Sequence, residues 1–167
     1  MSVKESLERL SSMLAAEPKK GRAKNSPATA RLIDGLQCEV TGPYGERFVT
    51  DMPPAMGGKA SGPNPGWLLR SSLASCTATA IAMRAARLGI ELRTLEVTCE
   101  SESDARGLLG VDDKVSAGLD SVRVRVKIGG NAEPRALREL VEWSDVHSPI
   151  GRTVRDPVAC SLDIEVL

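Results

Sequence analysis

The sequence predicts an α+β fold built on a mostly antiparallel sheet. Three observations carry this reading. Helical and strand periodicities follow the order helix, two strands, long helix, two strands, helix, strand, so runs of strands are separated by single helices. The stretch SVRVRVKIGG alternates strictly, Val122, Val124, Val126 and Ile128 against Arg123, Arg125 and Lys127, as a half-buried strand does. A helical pattern runs unbroken from Asn64-Pro65, a capping residue with proline at the first helical position, to a stop at Gly89.

Each element follows in turn. Residues 2–15 are amphipathic, with Val3, Leu7, Leu10 and Leu14 at three- and four-residue steps. The next stretch carries Lys19, Lys20, Arg22 and Lys24 without an interleaved aromatic residue, and reads as a solvated linker rather than a recognition patch. Residues 1–30 are thus expected to be a helix and polar linker, and 31–167 the main domain. Imperfect alternation over 31–50 breaks at TGPYGE, predicting a hairpin turning near Gly42–Gly45. DMPPAMGGKASGPNPG is rich in Pro and Gly and should be irregular. The long helix places Leu69, Leu73, Cys76, Ala80 and Met83 on one face, with small or apolar residues around much of the rest. A helix apolar on nearly all sides is buried in a domain or an interface. A strand over 92–101, a long acidic connection over 102–120, the Val122–Ile128 strand and a helix opened by Glu133-Pro134 follow, with Leu137, Leu140 and Val141 inward. CSLDIEVL should close the chain as a strand.

Bulk numbers exclude some functions. The 167 residues suit one domain with a sizeable core, and 41% apolar with 26% charged residues is ordinary for a globular protein. Basic and acidic residues balance at 22 each, which argues against nucleic acid or an anionic membrane as a partner. The N-terminus lacks a secretory apolar region, so a cytoplasmic location is expected, with cysteines kept mostly reduced. There is no CxxC or paired Cys/His ligand set, so no metal is expected, and no GxxxxGK[ST], GxGxxG or GxSxG, so no nucleotide cofactor or serine elbow is expected.

Of the four cysteines, Cys38, Cys99 and Cys160 fall in phase with the apolar residues of strands and read as core. Cys76 is the helical one, crowded by Ser71, Ser72, Ser75, Thr77 and Thr79, about three turns from the N-terminal dipole. A nearby Arg or Lys would have to activate it. The lone histidine, His147, lies in SDVHSPIG; it is either a surface residue or a base for Cys76.

GPNPGWLLRSSLASC resembles the region around the first cysteine of the OsmC/Ohr family (osmotically inducible and organic hydroperoxide resistance proteins), where a stretch like NPExL precedes small residues and a reactive cysteine. HSPIGRTV resembles the family's second-cysteine motif, roughly CPVxxTL, and SESDARGLLGVDD before SVRVRVKI is also similar to members. The resemblance covers roughly residues 31–167, which would form the OsmC-like domain. It implies mostly antiparallel sheets around a long buried central helix, an intertwined homodimer, and reduction of organic hydroperoxides by a cysteine thiolate assisted by an Arg and a Glu. Cys76 matches the first cysteine, whereas Ser148 stands at the position of the second and cannot form a disulfide. Gly66 stands where the Glu would be. The family's Arg comes from the first hairpin turn, where TGPYGER offers Tyr44 and, further on, Arg47.

Three functions follow. The first is a one-cysteine peroxidase, with Cys76 as nucleophile, Arg47 or Arg70 as electrostatic helper, Ser148 and His147 lining the pocket, and an external thiol as reductant. The second is a binding module of the same fold, holding a small apolar ligand against Trp67, Trp143 and Leu and Met side chains. The third pairs Cys76 with His147 as nucleophile and base.

Overall fold

A computed structural model of the chain describes residues 1–156 and 158–167. They form two compact units, Met1–Ser72 and Leu73–Leu167.

The first unit opens with α1, Val3–Ala16. Ser2 accepts from the Glu5 backbone N–H while the Glu5 carboxylate accepts from the Ser2 N–H, a reciprocal cap. A 3-10 turn at Pro18–Gly21 follows. Strands β1 (Thr29–Asp34), β2 (Gln37–Thr41) and β3 (Arg47–Thr50) make an antiparallel meander in that order. The expected turn is present between β2 and β3. A second hairpin lies before it, turning at Gly35, whose φ of +54° favours glycine.

The Pro- and Gly-rich loop that follows is irregular, as expected, but organised. Asp51, 2% exposed, accepts from the backbone N–H groups of Met52, Lys59 and Ser61 and from the Ser61 hydroxyl. Burial alone would raise the Asp51 pKa; the bonds from Ser61, Lys59 and Met52 outweigh it and hold the carboxyl at about 2. Gly62 lies so close to β3 that a Cβ there would collide with the Val49 carbonyl oxygen.

Helix α2, Pro65–Leu88, continues into the second unit. Asn64 caps it by accepting from the Trp67 N–H. Within the single chain α2 buries one stripe, Leu73, Thr77, Ile81 and Ala85, at four-residue steps. Leu69 and Met83, expected to share the inner face with Leu73, are 42% and 40% exposed. The buried stripe is offset from the expected face, and Cys76 sits at its border, partly buried.

Strands β4 (Leu92–Ser103) and β5 (Leu119–Gly130) form an antiparallel pair. Leu95 faces Ile128, Val97 faces Val126 and Cys99 faces Val124; on the other face Glu96 lies opposite Lys127 and Glu100 opposite Arg123. Between them lies the one-turn helix α3, Ala105–Leu108. Helix α4, Pro134–Val146, contributes Leu137 and Leu140 to a core with Ile81 and Ala85, against which Leu95, Val97, Val126, Ile128 and Val141 pack. Complete burial of Ile81 alone contributes roughly 1.5–3 kcal/mol.

Two expectations change at the C-terminus. SPIGRTV is helical: α5 spans Pro149–Arg155. CSLDIEVL is not a strand in this chain; residues 158–167 have no regular structure and are exposed. Cys160 is therefore exposed rather than buried on a strand face. Alternation alone does not make a strand: the backbone groups need a partner edge, and this segment has none in the single chain. Among the described residues no helix is long and apolar enough to cross a membrane.

Candidate functional site

The second unit brings Cys76 and Ser148 together. The Ser148 hydroxyl donates to Cys76 Sγ at 3.3 Å, across 72 positions of sequence. Ser148 is the N-cap of α5, with Pro149 supplying the first helical position, where a missing N–H costs nothing. Its oxygen accepts from the Gly151 N–H at 3.2 Å. This fully buried hydroxyl therefore has both a donor and an acceptor partner. Gly151 permits the arrangement, since a Cβ there would lie only 3.1 Å from Ser148 Oγ.

One turn of α4 away, His147 stacks on Trp143, with centroids 3.8 Å apart and planes 10° from parallel. His147 Nδ1 lies 2.7 Å from the Trp143 carbonyl oxygen. A carbonyl only accepts, so Nδ1 is the donor in this contact. The Arg84 guanidinium sits over the Trp143 ring, 4.3 Å from its centroid. Arg84 Nε is buried without a hydrogen-bond partner among the described residues. Residues 76, 80 and 84 are four-step neighbours on α2, so Cys76 and Arg84 rise on one side of the helix.

Beside Ser148 opens a cleft of about 330 Å³. Leu73, Val122, Val124, Val126 and Val141 line it, and Thr77, Glu142, Asp145 and Arg155 supply its polar groups. Arg155 is paired with Asp145. Thr77 Oγ1 is buried without a partner among the described residues.

The remaining expected site residues belong to the first unit. Arg47, on β3, pairs with Glu39. Trp67 is 51% exposed in the first turn of α2, and Arg70 lies one turn on. A Cβ on Gly66 would lie 3.6 Å from Arg70 Nη1, so that position stands beside a cation. Among the described residues there is no cluster of His, Cys, Asp or Glu suited to a metal ion.

The sequence reading missed Arg84, Thr77 and Gly151. Arg84 had a signal: it is a cation two four-residue steps along α2 from Cys76. Gly151 had a weaker one, three residues after a Ser-Pro cap.

Comparison with known proteins agrees with this geometry. The family model described as OsmC-like protein matches residues 58–163. No curated protein matches the sequence. Among solved structures, the chain is similar to an OsmC-like protein of Mycoplasma pneumoniae, with 17% identity, TM-score 0.69 and coverage of 81% of this chain and 91% of that one. It is also similar to an organic hydroperoxide resistance protein of Elizabethkingia anophelis, at 20% identity and TM-score 0.64 with 81% and 91% covered. A third is the organic hydroperoxide resistance protein OsmC of Legionella pneumophila, at 22% identity and TM-score 0.63 with 80% and 91% covered. These likenesses show the α+β, antiparallel-sheet fold, and with the family match over most of the domain they establish that the chain belongs to the OsmC-like family.

Proposed function

We propose that this protein is a one-cysteine, thiol-dependent peroxidase that reduces organic hydroperoxides at Cys76. The observation that carries the reading is the Ser148 hydroxyl donating to a partly buried cysteine sulfur. The contact fixes the sulfur's position beside the N-cap of α5. In the first step the Cys76 thiolate attacks the terminal oxygen of the hydroperoxide. The S–O bond forms, the O–O bond breaks, and the departing alkoxide takes a proton to become an alcohol. Cys76 is left as a sulfenic acid, oxidised by two electrons. Ser148 cannot close a disulfide, so an external thiol attacks the sulfur, releases water and forms a mixed disulfide. A second thiol then restores Cys76 and leaves as the disulfide of the two reductant sulfurs.

In this reading Arg47 or Arg70 is the electrostatic helper, Ser148 and His147 line the pocket, and Trp67 and Arg70 are binding residues. The family resemblance assigns 31–167 as the OsmC-like domain and a homodimer as the working form. A cytoplasmic location suits a cysteine that must be reduced between turnovers.

A second reading, a binding module for a small apolar ligand, is favoured by the valine-lined cleft beside Ser148. Steady-state consumption of cumene hydroperoxide with dithiothreitol separates the two. Turnover that disappears in Cys76→Ser and falls in Arg47→Ala supports the peroxidase. Equal background rates in all three proteins refute it and leave the binding module.

A further inference from the structure

Residues 1–30 differ from the rest of the chain in charge and in packing. The whole chain balances at 22 basic and 22 acidic residues, but this segment holds Lys4, Arg9, Lys19, Lys20, Arg22 and Lys24 against Glu5, Glu8 and Glu17. The overall balance therefore hides a basic segment on an acidic remainder. Helix α1 buries no residue. Its apolar side chains nevertheless form one stripe, Val3, Leu7, Leu10 and Leu14, with Val3 and Leu10 57% and 48% exposed. Glu5 and Ser12 lie on the opposite side of the helix.

The basic turn is held against the end of that stripe. Pro18–Gly21 folds back on α1, and a Cβ on Gly21 would lie 3.7 Å from Leu14 Cδ2. Lys19 and Lys20 are in this turn, and Arg22 and Lys24 follow in an exposed stretch without regular structure. Lys20 pairs with Glu17, whereas Lys19, Arg22 and Lys24 make no ion pair among the described residues.

The combination selects the occupant. A nucleic acid would use the cations but leave the stripe in water, and residues 1–30 hold no aromatic side chain on which a base could stack. A second α1 would cover the stripe, but its two heptads fall short of a coiled coil, and a parallel pair would bring two basic turns together. An anionic lipid surface uses both features: the leucines enter at the acyl boundary while the cations meet the headgroups. At 14 residues α1 is too short to cross a bilayer, so it would lie in the interface plane.

We propose that residues 1–24 dock this protein reversibly on anionic bilayers, with the Val3–Leu14 stripe in the interface and Lys19, Lys20, Arg22 and Lys24 over the phosphate headgroups. The stripe is narrow and the cations are few, so binding needs both. The proposal is independent of the peroxidase chemistry.

Flotation of the full chain with extruded vesicles tests it, with circular dichroism as the check on folding. Vesicles of phosphatidylcholine are compared with vesicles in which phosphatidylglycerol replaces part of it. The wild type is expected to float with the anionic vesicles, to stay behind with the neutral ones, and to be released by high salt. Each cation near such a surface strengthens partitioning about fivefold, so changing Lys19, Lys20, Arg22 and Lys24 together to Gln should weaken it about a hundredfold or more. Leu10→Ser, at a half-exposed position, should weaken it about tenfold. Arg123→Gln, which removes a cation from β5, should bind as the wild type does. A wild type that stays behind with anionic vesicles overturns the proposal, and so does flotation that survives loss of all four cations. If that wild type instead retards mixed-sequence duplex DNA through the same cations, the occupant is a nucleic acid. If instead Leu10→Ser weakens self-association in sedimentation velocity, the occupant is a second copy.

Discussion

Ser148→Cys should convert Cys76 into one half of a disulfide. The Ser148 oxygen lies 3.3 Å from Cys76 Sγ, and an S–S bond is about 2.05 Å, so the sulfurs must approach by about 1.2 Å beyond the present separation. A cross-link between positions 72 apart removes denatured-state freedom worth about 4 kcal/mol. Loss of the Ser148 cap on α5 costs about 1 kcal/mol, leaving a net gain of about 3 kcal/mol. For a chain of this size that raises Tm by roughly 10 °C. The variant would be treated with one equivalent of cumene hydroperoxide, then compared by thermal unfolding with and without dithiothreitol, with free thiols counted and peptides mapped. The expected result is loss of two thiols, a peptide pair linking position 76 to position 148, and a Tm that falls on reduction. Retention of both thiols after oxidation would refute the juxtaposition of Cys76 and Ser148.

Other perturbations probe the same structure. Ser148→Ala removes both the N-cap of α5 and the hydroxyl that donates to Cys76 Sγ, so it should cost about 1 kcal/mol and lower Tm by roughly 3 °C in a thermal melt. Asp51 is held at about 2, below its ordinary 3.8, so its contribution to stability is complete above about pH 4 and disappears as pH falls through about 2. Limited acid-stable proteolysis of the 51–63 loop should therefore rise across that window in the wild type, and Asp51→Asn should be cut readily at both ends of it. Ile81→Ala opens a cavity at a fully buried position, costing about 2–5 kcal/mol and lowering Tm by roughly 10 °C in a thermal melt.

The legibility of this fold tracks how local each signal is. β5 is plain because strict alternation over the seven residues Val122–Ile128 admits one secondary structure, and α2 because Asn64-Pro65 and Gly89 punctuate it. The β1–β2 hairpin escaped notice although Asp34-Gly35, a strong turn dipeptide, marks it. Helix α5 has seven residues, too few to show a period; its signature was the Ser148-Pro149 cap. CSLDIEVL shows the opposite failure. Its alternation is real, but a strand is a property of two segments, and the sequence names only one of them. The site divides in the same way. Cys76 stood out by its setting, whereas its contact with Ser148 spans 72 positions and came into view through family resemblance, not spacing. The Arg84–Trp143 contact joins two helices far apart in sequence, and no spacing announces it.

The central claim is that Cys76 takes an oxygen atom from the substrate. The most direct measurement is a single turnover: equimolar cumene hydroperoxide without reductant, the product alcohol quantified, and the protein trapped with dimedone for peptide mass spectrometry. The account predicts one alcohol per chain and a dimedone adduct on Cys76, with neither in Cys76→Ser. Unconsumed hydroperoxide, or an adduct carried only by Cys38, Cys99 or Cys160, would contradict it.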